Sequence, residues 1–263
     1  MIKFFRKIRQ SLLTANPPAR TSGRAGKFSK YLLYAFGEIA LVMIGILLAL
    51  QVNNWNEGQK AKVKEKAYLV RLHSDLVADT LYLRNRLEEV KKGRAQIYEF
   101  IHEIYKTQNT EEEFKHLFSM QYVDSENLVM QTSTFEELKF AGLVSIIQNE
   151  GLKIALIDLY REYQVAAEHF TEINNFTSRE QFGKSVHVAA KYWHPDLYDE
   201  KRLYEGSDWK FINDPTSENF KLMENTQSGY FIKYGFFIEH FENLLTNAKA
   251  LIDQINEELT ERR

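Results

Sequence analysis

Apolar residues recur along most of this chain at steps of three, four or seven, the spacing of one helix face. From Trp55 to about Tyr105 the set is Leu69, Leu72, Leu76, Leu83, Leu87, Val90, Ile97, Ile101 and Ile104, with almost no breakers. This predicts one long helix, whose early part, EGQKAKVKEKAY, reads as a solvated stalk. A break is expected near Lys106–Thr110. TEEEFKHLFSM then reads as a short helix with acids in its first turn, where the helix dipole favours them. Ser133 and Glu136 match a capping box opening STFEELKFA, and Gly142 is placed to close that helix. Leu152, Leu156, Leu159, Tyr163, Ala166 and Phe170 share one face of a further helix. Residues 178–229 carry two Pro, two Trp and turn signals at Gly206 and Asp214-Pro215, so loops with short helices are expected there. From Tyr230 to Leu259 a last long helix is predicted. Its Tyr230, Tyr234, Phe237 and Phe241 fall at helical steps, as core packing requires; an aromatic ligand groove is the functional alternative.

Before these elements the pattern changes. YLLYAFGEIALVMIGILLALQVNNWNE, residues 31–57, is mostly apolar, with Glu38 inside it. A bilayer core needs roughly 20 helical residues, and Tyr31–Leu50 supplies them. Ile39–Leu50 alone would rise only about 18 Å, too little to cross. Tyr31, Tyr34 and Trp55 sit at the ends, where interfacial aromatics belong. A cleaved signal peptide would have a shorter apolar core and a small-residue cleavage site. Here Gln51, Asn53, Asn54 and Trp55 follow instead, so an uncleaved signal anchor is expected. A buried core helix is the other alternative, and the charge of the preceding segment argues against it.

That charge is one-sided. Lys3, Arg6, Lys7, Arg9, Arg20, Arg24, Lys27 and Lys30 precede the span with no acidic residue among them, although the chain as a whole carries −2. By the positive-inside rule the N-terminus stays in the cytoplasm and the acidic remainder is exported. Ile2, Phe5, Ile8 and Leu12 follow helical spacing within MIKFFRKIRQSLL, so this arm is expected to lie on an anionic leaflet; its alternative role is only to fix topology. TANPPARTSGRAG, residues 14–26, reads as a flexible link. Three regions follow: a basic cytoplasmic arm (1–30), a transmembrane signal-anchor helix (31–55) and a periplasmic α-helical domain (56–263). The fold class is all-α: one transmembrane helix, then an extracytoplasmic bundle with long first and last helices. Four Pro and twelve Gly in 263 residues suit that class better than a turn-rich β protein.

Candidate chemistry is sparse. The chain has no cysteine, which removes disulfides, thiol nucleophiles and Cys-based zinc sites. There is no H-E-x-x-H, no Gly-rich phosphate loop and no G-x-S-x-G elbow. Seven histidines (His73, His102, His116, His169, His187, His194 and His240) are scattered. His194, Asp196, Asp199 and Glu200 are the densest group of potential ligands, but such a group more often caps a wet turn. Glu162 and His169 lie seven apart on one helix face, as a surface pair would. No catalytic, cofactor or metal residue is therefore assigned. Nucleic acid is not expected as a partner, because the body is acidic and the basic arm lies at the membrane.

Glu38 is the exception inside the span. A central acid costs roughly 2.5 to 3.5 kcal/mol to insert, less toward the edge, and the apolar residues after it offset this. Such a group needs a hydrogen-bond partner, and Tyr34 is one turn away. Glu38, Gly45 and Val52 repeat at sevens, and Gly45-x-x-x-Ala49 is a small-x-x-x-small pair that lets helices approach closely. Glu38, Gly45, Ala49 and Tyr34 are thus the candidate transmembrane interface.

MIKFFRKIRQSLL, KFSKYLLYAFGEIALVMIGILLALQVNNWNE and TFEELKFAGLVSIIQNEGLKIALIDLY together resemble a family of single-pass membrane proteins common in Bacteroidota, especially flavobacteria. The family carries no assigned activity. The resemblance implies a Gram-negative inner membrane and a periplasmic body. The function expected is non-enzymatic: an anchored helical domain that binds a protein or ligand, with the lipid bilayer, further copies of the chain or another envelope protein as partners. The alternatives are an ion-coupled transport or force-transducing subunit that uses Glu38, and a periplasmic enzyme whose site is assembled from distant residues.

Overall fold

A computed structural model describes residues 24–119, 125–179 and 208–261. Among these the chain is all-α, with no strand and with long first and last helices. Five α-helices follow in order: α1 (Arg24–Ile104), α2 (Glu111–Ser119), α3 (Ser133–Phe140), α4 (Glu150–Thr177) and α5 (Glu218–Glu261). Short 3-10 turns occupy Val144–Ile146 and Asp208–Asn213. The chain divides into two compact units, Met1–Lys60 and Ala61–Arg263. The basic arm before Gly23 and the group of His194, Asp196, Asp199 and Glu200 lie outside the described residues. Arg24–Gly26, expected as the end of a flexible link, is already helical.

In the second unit, α1 from Ala61 onward, α4 and α5 form the bundle. The directions follow from paired residues. Lys91 bridges to Glu242 at 2.8 Å, and Tyr105 bonds Glu224, so α5 runs antiparallel to α1. Asn149 bonds Glu258 and Asn247 bonds Glu162, each at 2.7 Å, so α5 is antiparallel to α4 as well. Helices α1 and α4 are then parallel, which demands a connection that returns the chain to the start of the bundle. The returning segment passes Tyr82 at Asn127, Asp79 at Gln131 and Arg71 at Glu137, running down α1 as its numbers rise.

The apolar register of α1 is the core. Leu69, Leu72, Leu76, Leu83, Val90, Ile97 and Ile104 are all buried. Those from Leu69 to Ile97 meet the six α4 residues expected on its inner face, Leu152 to Phe170, every one of which is also buried. Tyr230, Tyr234, Phe237 and Phe241 complete this core, so the packing role holds for them, and Phe237 stacks on Phe170 at 3.9 Å between ring centres. A smaller cluster joins Phe100, Phe114, Ile212 and Phe220 at the α2 end.

Helix ends explain where expectation and structure part. Gly142 adopts φ +67°, and the N–H groups of Gly142 and Leu143 bond the carbonyls of Lys139 and Leu138 at 3.1 and 2.8 Å. That is a Schellman closure, with Leu143 packed against the core that buries Leu138. The Ser133–Glu136 capping box does not form. Ser133 is already the first helical residue, and Thr132 before it makes no side-chain cap bond. Asn149 caps α4 instead, its side-chain oxygen accepting from Leu152 N–H at 3.1 Å. Helix α5 starts at Glu218, twelve residues before the sequence reading placed it. Ser217 supplies the cap by accepting from Phe220 N–H at 3.2 Å, and Gly229 is absorbed within the helix. The stalk also differs from expectation, because Glu65 within it is fully buried.

Candidate functional site

Three places in the structure concentrate polar or exposed apolar groups. The first is the apolar segment at the start of α1. It contains a window of mean hydropathy 2.2, none of it buried within the protein. Phe36 is 74% exposed and Leu47 60%. Glu38, Gly45 and Ala49 are successive members of one helix face, all exposed, and a Cβ added at Gly45 would meet no atom within 4 Å. The backbone of Tyr34 is helical; its side chain lies outside the described residues.

The second lies inside the bundle, where α1 carries polar residues in its core-facing register. Glu65, Asp79 and Arg86 are buried among the leucines. Two of them satisfy backbone donors of the returning connection, which needs partners once it is pressed against a helix. Glu65 accepts from Gln148 N–H at 2.7 Å, and Asp79 accepts from Gln131 N–H at 2.8 Å. Arg86 pairs with Glu89 at 2.6 Å and with Glu126 at 3.3 Å. Near the end of α3, Glu137 accepts from Tyr68 at 2.8 Å and from Arg71 at 2.6 Å, but both partners of that ion pair are about half exposed and it contributes little.

Asp79 is the most perturbed of these. Burial pushes its carboxyl up to about 6, the neighbouring Asp75 adds to the rise, and the Gln131 N–H and the Tyr163 phenol oppose it. The hydroxyls of Tyr160 and Tyr163 and one carboxylate oxygen each of Asp75 and Asp79 are buried without a hydrogen-bond partner. Both phenols are held above their ordinary range, first by burial and then by the Asp charges. Phe135 stacks flat on Tyr160 at 4.2 Å and closes one side.

The third is a groove of about 360 Å³ between α4 and α5. Arg161, Glu162, His240, Asn243 and Asn247 supply its polar lining. Glu162 bonds Asn247 across the helices at 2.7 Å, and His169 meets His240 with ring centres 5.8 Å apart. The two residues read as a surface pair on α4 therefore each engage α5. Burial, and next the charge of His169, lower the pKa of His240. Among the described residues no three His, Asp or Glu side chains converge as metal ligands.

Sequence reasoning missed the Asp79 cluster, although a signal was present. Leu76 and Leu83 are seven apart, and the position between them that completes the three-four spacing is Asp79. An acid in a core-facing register asks for a buried partner. The His169–His240 approach had no such signal, since the two lie 71 positions apart and meet only through the α4–α5 register.

The fold and these sites define an all-helical protein with one helical segment long and apolar enough to span a membrane near its N-terminus. The chain belongs to a family of unknown function, DUF6090, whose model matches residues 38–185. The match takes in α1 from Glu38 through α4 and leaves out α5. No curated protein and no solved structure matches the chain.

Proposed function

We propose that this protein is a non-enzymatic single-pass membrane protein that presents its helical domain for binding a protein or ligand partner and self-associates through its span. The observation that carries the reading is the apolar surface from Phe36 to Val52, no residue of which is buried. Such a helix in water would be a severe solvation liability, and a bilayer core, which roughly 20 apolar helical residues cross, matches it. The eight basic residues before the span orient the N-terminus to the cytoplasm, which sends the domain to the far side; in a Gram-negative cell that is the periplasm. Glu38, with Tyr34 one turn before it, acts as polar glue at a helix interface, and Gly45 and Ala49 on the same face let the backbones approach.

A substitution series tests this. Glu38→Gln keeps the hydrogen-bonding shape and is expected to keep the oligomer of the detergent-solubilised chain. Glu38→Leu and Gly45→Leu are expected to shift it toward monomer, by about 1 to 2 kcal/mol for each lost interaction. Mass photometry reads the populations. Unchanged assembly in all three variants would remove the interface role and leave Glu38 as an interfacial side chain reaching for cytoplasmic water.

A further inference from the structure

We propose that His169 of α4 and His240 of α5 together form a binding site for a divalent transition-metal ion of the zinc, copper or nickel type. The two rings approach across the helix pair with centres 5.8 Å apart and planes inclined at 62°. A metal ion bonded to an imidazole nitrogen stands about 2.0 to 2.1 Å from it, and so about 3.2 Å from the ring centre. Two imidazoles on one ion then have centres about 5.2 Å apart at a tetrahedral angle and about 6.4 Å apart when opposed. The observed separation falls between these limits, so the spacing of the two rings matches that of two imidazoles on one ion.

The surroundings suit this chemistry. His169 is exposed and His240 half-buried, which gives an ion a path from solvent. Imidazole donors select borderline transition metals over magnesium and calcium, which demand oxygen ligands. His240 also lines the groove that holds Arg161, Glu162, Asn243 and Asn247, so the ion would stand at the groove's edge. Two protein ligands leave its other coordination positions to water or to a carboxylate entering the groove. This is an open, exchangeable site, unlike the closed four-ligand arrangement of structural zinc. It also ties α4 to α5 at a point where Phe170 stacks on Phe237, so occupancy stabilises the bundle by mass action.

The test is calorimetric titration of the untagged, detergent-solubilised full chain with zinc chloride, alongside His169→Gln, His240→Gln and the control His102→Gln. Saturable binding is expected in the wild type and the control. Each single loss at His169 or His240 should weaken it at least about tenfold, because even outer-shell partners of a metal are worth that much. Magnesium chloride should not compete. Pulsed electron paramagnetic resonance of the copper-loaded wild type should show two imidazole nitrogens, a readout that does not depend on any variant folding. Absence of saturable zinc binding, wild-type affinity in either His169→Gln or His240→Gln, or a copper spectrum with one imidazole or none overturns the proposal.

Discussion

Phe237→Ala is expected to lower the stability of the helical domain by about 3 to 5 kcal/mol, whereas Phe236→Ala, one residue away, changes it by less than about 0.5 kcal/mol. Phe237 is 0% exposed and Phe236 52%. The buried ring stacks on Phe170 at 3.9 Å and touches Phe241 edge-on, so its removal leaves a cavity where α4 and α5 close on α1. Three packed helices have little freedom to collapse into that space, and the transfer and cavity losses add. The exposed ring loses only surface. Urea denaturation followed by circular dichroism measures both. Equal effects in the two variants would mean that α5 is rotated from the face described.

The second large effect is on pH dependence. Asp79 has its carboxyl raised from 3.8 to about 6, chiefly by burial. The folded state therefore holds a proton there, between these two values, that the unfolded chain has released. The contribution of this group to stability is fully present below about pH 4 and lost as pH rises through about 6. A shift of that size corresponds to about 3 kcal/mol on the alkaline side. Asp79→Asn removes the ionisation. Its amide oxygen can still accept from Gln131 N–H, and the amide has no charge to desolvate. The variant is expected to be more stable than wild type at pH 8, by roughly 1 to 3 kcal/mol, and no more stable at pH 4. Urea midpoints measured from pH 4 to 8 test it. A variant destabilised at every pH would show that the Asp79 carboxylate is well compensated as an anion.

Much of the fold was legible because helix burial follows local periodicity. The leucines of α1 and the inner face of α4 were assigned from spacing alone, and Gly142 from the need for a left-handed residue after a helix. The start of α5 was not. Asp214-Pro215 reads as a turn, and the helix follows almost directly after it, since Ser217 caps a helix that buries Phe220, Met223 and Gln227 and carries Gly229 inside it. Ser133–Glu136 shows the converse, a matching motif whose first residue is already inside the helix. Tertiary packing decides such cases. Of the polar sites, Asp79 was missed although it interrupts the leucine register and so carries a signal. Tyr160, Tyr163, His169 and His240 carry none, because aromatic and histidine residues at helical steps look alike until the partner helix is known.

The central claim is that the apolar start of α1 crosses a membrane and exports the helical domain. Alkaline phosphatase, active only after export, tests it when fused after Lys30, after Glu57 and after Arg263 in separate chains. The account predicts an inactive first fusion, and active second and third fusions that are recovered in the membrane fraction. A second fusion that is expressed normally yet inactive, or active and released from the membrane, contradicts it.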